Sequence, residues 1–125
     1  MTSLSFRKES IYTSTINIID ADFHRNQFIV LKKDKQQLCV EINQIPIMMV
    51  STNNYLVRFT KNHFCLVELD LLRFYTLGGQ LVSSVHVGQH IHELIPFQEG
   101  VICIYGDQGV FGDGLGQTYL EFCAA

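Results

Sequence analysis

The chain has 125 residues, of which 47% are hydrophobic and 17% charged, and its formal net charge is −3. This is one domain's worth of sequence, and its low charge and apolar content exclude an intrinsically disordered chain. A net negative charge gives no general attraction to nucleic acid or to anionic lipid. The longest apolar run, Ile45–Val50, is far too short to span a membrane.

Short runs of β-branched and large apolar residues recur along the chain, and such runs are typical of β-strands. Turn sequences such as Asn-Asn, Gly-Gly and Glu-Gly separate them. The predicted strands are, in chain order, 16–19, 28–31, 38–42, 47–50, 55–59, 64–69, 81–87 and 101–105. We interpret 66–77 as strand because its apolar residues alternate, and 73–82 as a hairpin that turns at Gly78-Gly79. The sequence therefore predicts a single all-β domain over residues 1–125.

The charged and cysteine residues fit the same picture. The run KKDK at 32–35 is interpreted as a solvated hairpin turn. Each of the four cysteines, Cys39, Cys65, Cys103 and Cys123, lies in an apolar strand-like run, and no Cys-x-x-Cys pair occurs. We predict buried, reduced thiols. Together with an N-terminus that lacks the order of a secretion signal, this predicts a cytoplasmic protein.

Three stretches share one layout, in which an apolar strand is followed by a short polar turn and a second apolar strand. They are INIIDADFHRNQFIVL, IPIMMVSTNNYLVRF and IHELIPFQEGVICIY. Their spacing is uneven, so they indicate a weak internal repeat rather than a strict one.

The stretch 73–122, about two-fifths of the chain, resembles the repeat region of bacterial β-propeller-like proteins of uncharacterised function. In that family an "L-x-G" turn leads to an outer strand, and a "G-x-I-W-V-x-Y-x-D-E-G-V-F-G" strand and loop follow. The family's loop is matched here by the residues Tyr105, Asp107, Gly109, Val110, Phe111 and Gly112. The chain departs from the family pattern at Gln89-His90, where Asp-Gly is usual, and at Cys103, which replaces an aromatic residue.

This resemblance implies antiparallel, blade-like units of four strands, and it implies no activity. At roughly 40–45 residues per blade the chain would hold two to three propeller-like blades, whereas closed propellers usually have four to eight. The expected architecture is therefore a partial propeller, as a fragment of a longer chain or as one member of an assembly, or a sandwich or irregular barrel.

The glycine-rich segment 112–116 superficially resembles a nucleotide-binding loop. A dinucleotide fingerprint must open a helix, and a P-loop needs Gly-Lys-Ser/Thr. The segment that follows it, 117–122, reads as a strand, and its aspartates are too sparse for a calcium loop. We interpret 105–116 as a long inter-strand loop that contacts a protein partner. Its predicted contact residues are Tyr105, Asp107, Phe111 and Asp113, with Phe111 as the apolar anchor.

Histidines provide the alternative hypothesis. His86, His90 and His92 have equal parity in the sequence, and paired imidazoles on a strand can bind zinc or iron. A metal-binding protein or metal-dependent enzyme that uses these three residues is the runner-up interpretation.

Other catalytic signatures have little support. The chain has no Gly-x-Ser-x-Gly elbow, and its cysteines lie where the thiolate is disfavoured. Asp20 and Asp22 are interpreted as residues that end a strand. We therefore predict a non-enzymatic protein-binding or scaffold module that needs no cofactor.

We also predict self-association. The apolar run 118–123 would form an edge strand with unpaired backbone groups, which proteins cover or pair. A homodimer is the favoured solution, and closure against the N-terminal strand 4–7 is the competing one.

Overall fold

The computed structural model of the chain describes residues 5, 7–13, 17–106 and 119–124. Within these ranges the chain forms eleven β-strands and no helix, which confirms the predicted all-β class. The strands are β1 Ile18–His24, β2 Gln27–Asp34, β3 Gln37–Ile42, β4 Ile45–Val50, β5 Asn54–Phe59, β6 His63–Glu68, β7 Leu71–Thr76, β8 Leu81–His86, β9 Ile91–Phe97, β10 Gly100–Tyr105 and β11 Tyr119–Ala124. The described residues accordingly include no helix that is long and apolar enough to cross a membrane.

The strands form three antiparallel sheets in which each strand pairs with its neighbours in sequence. Sheet 1 contains β1 to β4, sheet 2 contains β5 to β8, and sheet 3 contains β9 to β11 in the order β11-β10-β9. The first strands of the sheets lie next to one another, since β5 contacts both β1 and β9. The three meanders are therefore joined along their first strands.

Segment 66–77 forms strands as predicted, although a turn at Leu69 and Asp70 divides it into the end of β6 and β7. The predicted hairpin at Gly78-Gly79 joins β7 to β8. Gly79 has φ 94°, and a Cβ there would lie 3.0 Å from the Ile47 side chain of sheet 1. The turn therefore requires glycine both for its backbone conformation and for the close approach of sheet 1.

The middle sheet is buried on both faces because its side chains alternate between two cores. On β6, Phe64 and Leu66 face sheet 1, whereas Cys65 and Val67 face sheet 3. The core between sheets 1 and 2 comprises Ile29, Leu31, Leu38, Val40, Ile42, Val57, Phe59, Phe64, Leu66 and Tyr75. The core between sheets 2 and 3 comprises Cys65, Val67, Leu72, Phe74, Ile91, Leu94, Val101, Cys103, Tyr105 and Cys123.

All four cysteines are free and buried, which confirms the prediction of reduced thiols. Burial raises the pKa of the Cys65 thiol and, together with the nearby Cys123, raises that of Cys103 to about 12. With their pKa values raised, the Cys65 and Cys103 thiols stay protonated at physiological pH. They therefore act as packing groups, since only the thiolate is a nucleophile or a metal ligand.

The prediction of a solvated hairpin turn at 32–35 is confirmed for Lys35, which lies in the turn between β2 and β3, and is wrong for Lys32. Strand β2 extends to Asp34, so Lys32 lies on the sheet instead of in a solvated turn. Its Nζ lies 2.6 Å from Glu41 Oε2 on β3, and it donates a hydrogen bond to the Tyr12 hydroxyl at 3.1 Å. The partners on the neighbouring strand and on the N-terminal segment hold this lysine on the sheet.

Arg58 connects all three sheets. It lies on β5 of sheet 2, where its Nη1 donates to Asp20 Oδ2 of sheet 1 at 2.7 Å and its Nη2 donates to Glu93 Oε1 of sheet 3 at 2.5 Å. Burial opposes the charge of this guanidinium, but the two carboxylates outweigh that effect and raise its pKa. A guanidinium is suited to this position because its fork of donors can serve two acceptors at once.

Asp20 and Asp22 do not end a strand, as the sequence suggested, but lie inside β1. Asp20 Oδ2 accepts the Val57 amide at 2.9 Å, and Asp22 Oδ2 accepts the Phe59 amide at 2.8 Å. Two carboxylates therefore satisfy backbone donors on the edge of β5 that no strand pairs.

We expect Arg58→Ala to lower the free energy of unfolding by about 3–5 kcal/mol, because it leaves partly buried carboxylates without their cation. Chemical denaturation measures this loss. The matched control is Lys61→Ala, which removes an exposed ion pair with Glu99 and should cost about 0–1 kcal/mol. Equal losses in the two variants would show that Arg58 is an ordinary surface charge.

Candidate functional site: a groove between sheets 2 and 3

A groove of about 680 Å³ lies where one end of sheet 2 meets the start of sheet 3. The turn between β6 and β7 contributes Leu69 and Asp70, and the connection between β8 and β9 contributes Gln89 and His90. Its lining comprises Tyr55, Leu69, Asp70, Gln89, His90, Ile91 and His92. The groove is therefore built from short connections that are fixed on strands.

Backbone hydrogen bonds hold these connections in place. The Val87 amide donates to the Asp70 carbonyl at 2.8 Å, which joins the two connections that form the walls. The Gly106 amide donates to the His90 carbonyl at 3.3 Å, which ties the groove to the end of β10. Leu69 and His90 have φ values of 53° and 64°. Both lie in the left-handed region, which is uncommon for residues other than glycine.

Tyr105 is the last residue of β10 and is 2% exposed. Its hydroxyl donates to Glu121 Oε1 on β11 at 2.7 Å and accepts the Gly88 amide at 3.1 Å. Burial is the main cause of its raised pKa, and the bond to Glu121 adds to it. Tyr105 therefore joins the connection between β8 and β9 to strands β10 and β11.

The predicted partner-contact residues have different outcomes. Tyr105 is placed as a buried support for the wall of the groove. Asp107, Phe111 and Asp113 lie outside the described residues. The strand predicted after the glycine-rich segment is present as β11, which pairs with β10 from Tyr119 onward.

The three predicted metal ligands lie on different elements. His86 ends β8, His90 lies in the connection that follows, and His92 lies on β9. Among the described residues, no three histidine, cysteine, aspartate or glutamate side chains form a group that could hold a metal ion. Parity in the sequence was misleading because His90 is not on the strand. The three-histidine hypothesis has no geometric support in this part of the chain.

The lining combines apolar surface with hydrogen-bonding side chains. Apolar surface comes from Tyr55, Leu69 and Ile91, and burial is the main cause of the raised pKa of Tyr55. Hydrogen-bonding groups come from Asp70, Gln89 and the two histidines. The described lining residues include neither a serine nor a cysteine that could act as a nucleophile.

Sequence reasoning missed Leu69 and Asp70 because it placed 66–77 on one strand. The local pattern gave no signal of the turn, since Leu69 and Asp70 continue the alternation of apolar and polar residues that begins at Val67. Leu69 is 58% exposed, as are several other large apolar residues of the chain, so its exposure alone assigns it no role.

Comparison with known proteins gives the fold but no family. No protein-family model matches the chain, and no curated protein matches it. Among solved structures, the chain resembles Hsv2 from Kluyveromyces lactis, solved with its complete loop 6CD, at a TM-score of 0.52 and 17% identity. The likeness covers 74% of this chain but only 31% of Hsv2. The computationally designed protein Ika4 is matched over 95% of this chain and 100% of its own length, with 11% identity and a TM-score of 0.44.

The likeness to Hsv2 shows that this arrangement of strands also occurs in a natural protein. At this identity it carries the fold alone. The chain spans about a third of the length of that protein.

We expect Tyr105→Phe to loosen the groove wall while the fold is kept. Losing the hydroxyl removes the acceptor for the Gly88 amide, so the free energy of unfolding should fall by about 0.5–1.5 kcal/mol. Hydrogen exchange followed by NMR should show faster exchange at Gly88. The Val87 amide is the internal control, since it keeps its bond to Asp70. Unchanged exchange at Gly88 would contradict this role for Tyr105.

Proposed function

We propose that the protein is a non-enzymatic protein-binding module whose groove between sheets 2 and 3 receives a segment of a partner protein. The observation that carries this proposal is the composition of the groove. It combines an exposed leucine and partly buried apolar side chains with the polar groups of Asp70, Gln89, His90 and His92. Binding sites in proteins are usually concave and largely apolar, with a few fixed polar groups.

The size and position of the groove also support binding. A volume of about 680 Å³ falls within the roughly 300–1,000 Å³ that is typical of ligand pockets. Hydrogen bonds of Tyr105 and Gly106 tie the groove to the end of β10, where the predicted contact segment 105–116 begins. The proposal assigns partner contact to the groove and to the segment 105–116 together, with Phe111 as the apolar anchor.

The kind of partner follows from the lining. An extended peptide segment presents amides and carbonyls at regular spacing, and side-chain carboxylate, amide and imidazole groups can bond to both. An apolar residue of the peptide would pack against Leu69 and the half-buried ring of Tyr55. The bacterial propeller-like resemblance of 73–122 and four free, buried cysteines support a scaffold role in the cytoplasm.

A peptide-display selection on the purified protein tests the proposal. We expect enriched peptides that share an apolar residue, and their affinity should fall about tenfold or more for Leu69→Asp, because a charge replaces an apolar contact. Phe111→Ala should also weaken binding. Isothermal titration with one synthetic peptide measures each change.

The chain offers a matched control for this experiment. Leu77 lies at the opposite end of β7 and is 38% exposed, so Leu77→Asp makes the same chemical change away from the groove. Its peptide affinity should equal that of the wild type. If no peptide is enriched, or if Leu69→Asp and Leu77→Asp bind equally well, the groove is not the contact surface.

A further inference from the structure

The outer face of sheet 3, the side turned away from sheet 2, is apolar and exposed. β9 contributes Ile95 and Phe97, β10 contributes Ile102 and Ile104, and β11 contributes Leu120 and Phe122. The register places these residues beside one another, since Ile102 pairs with both Ile95 and Phe122. Phe97 and Phe122 contact edge to face with ring centroids 6.1 Å apart.

The equivalent faces of the other sheets are covered. In each sheet, the second strand in chain order places two apolar residues on the face turned toward the next sheet, or outward in sheet 3. These pairs are Ile29 and Leu31 on β2, Cys65 and Val67 on β6, and Ile102 and Ile104 on β10. The first two pairs are 0% exposed because the next sheet packs on them. On sheet 3 the same pattern continues, but Leu120 is 67% and Phe97 49% exposed. In sheets 1 and 2, the equivalent face is therefore covered by the apolar face of another β-sheet.

The distribution of charge indicates which face of a second copy could cover the outer face of sheet 3. The outer face of sheet 3 carries Glu93 at its edge, and this carboxylate is paired with Arg58. The far face of sheet 1 is different, since its centre holds the ion pair of Lys32 and Glu41. Covering that pair with an apolar face would remove charges from water, which is costly unless new partners are supplied.

The far face of sheet 1 is also partly closed by its own chain. The Tyr12 hydroxyl donates to Glu41 Oε1 at 2.9 Å, and its ring contacts Phe28 with centroids 5.7 Å apart. A copy that stacked head to tail would have to displace Tyr12. The outer face of sheet 3 on a second copy presents neither obstacle. It is apolar and exposed, and its Glu93 is already paired with Arg58.

We propose that the outer face of sheet 3 is an interface with the same face of a second copy of this chain. When the same face of two copies pairs, neither copy has that face free for a third copy. The product is therefore a closed two-fold dimer and not a filament. The four most exposed side chains, each about half accessible, would bury roughly 400 Å² per copy, taking about 150–250 Å² for a large side chain. The two copies together would bury about 800 Å², which is below the roughly 1,200–2,000 Å² of stable interfaces, so the dimer should be weak and should dissociate on dilution.

Sedimentation velocity over about 1–300 μM full-length protein tests the proposal, because micromolar affinity is expected of small interfaces. The mass should rise from that of the 14.3 kDa chain toward twice that value. Leu120→Lys should remain monomeric at every concentration. Ile95→Lys is a second variant on a different strand of the same face and should behave in the same way.

Leu81→Lys is the control, because Leu81 is a 57% exposed leucine on β8 of sheet 2 and its loss should leave the dimer intact. Circular dichroism establishes that each variant is folded. A wild type that stays monomeric, a mass that grows beyond two copies, or dimerisation of both folded lysine variants would overturn the proposal. Peptide binding by the groove is independent of these outcomes, so a failed dimer leaves that function standing.

Discussion

The hydrogen bonds and ion pairs that join the first strands of the three sheets are the constraint on which the rest of the structure depends. Each sheet is a simple meander, so no strand crosses from one sheet to another. The edge of β5 instead donates its Val57 and Phe59 amides to Asp20 and Asp22 of sheet 1. Arg58, between them, bonds to sheet 1 on one side and to sheet 3 on the other. Apolar packing supplies the cohesion of the sheets, whereas these directional contacts fix how the sheets are placed, because hydrogen bonds require specific geometry.

The groove and the apolar outer face of sheet 3 both follow from this placement. Because sheet 2 packs on both of its neighbours, its connections and those of sheet 3 meet at one end and form the groove walls. Sheet 3 has a sheet on one side only, which leaves its other face accessible. In our proposals, one side of sheet 3 contributes to the groove for a partner segment and its other side is the surface for a second copy. The two surfaces lie on opposite sides of the sheet, so the two proposals can be tested separately.

Much of the fold could be predicted from the sequence because strands are specified by local alternation. A second local signal is a continuous apolar run such as 64–67, which indicates a strand buried on both faces and belongs to β6 of the middle sheet. The buried cysteines were predicted for the same reason. The contacts that join the sheets were not predictable. Asp20 and Arg58 are 38 positions apart, and the sequence around one residue does not indicate that the other is its partner. The groove was also missed, because its position depends on how two sheets pack. The histidines show the opposite error. Their even spacing suggested one shared face, but His90 lies in the connection between β8 and β9 and not on a strand.

Native-state hydrogen exchange at the Val57 and Phe59 amides tests the central claim most directly. If the carboxylates of β1 hold the edge of β5, both amides should exchange as slowly as the amide of Leu66 in the neighbouring strand β6, through the same cooperative opening. Asp20→Ala and Asp22→Ala should each expose the amide that the missing carboxylate accepted. Rapid exchange of Val57 and Phe59 in the wild type, at the rate of an unpaired sheet edge, would contradict the claim that these contacts join the sheets.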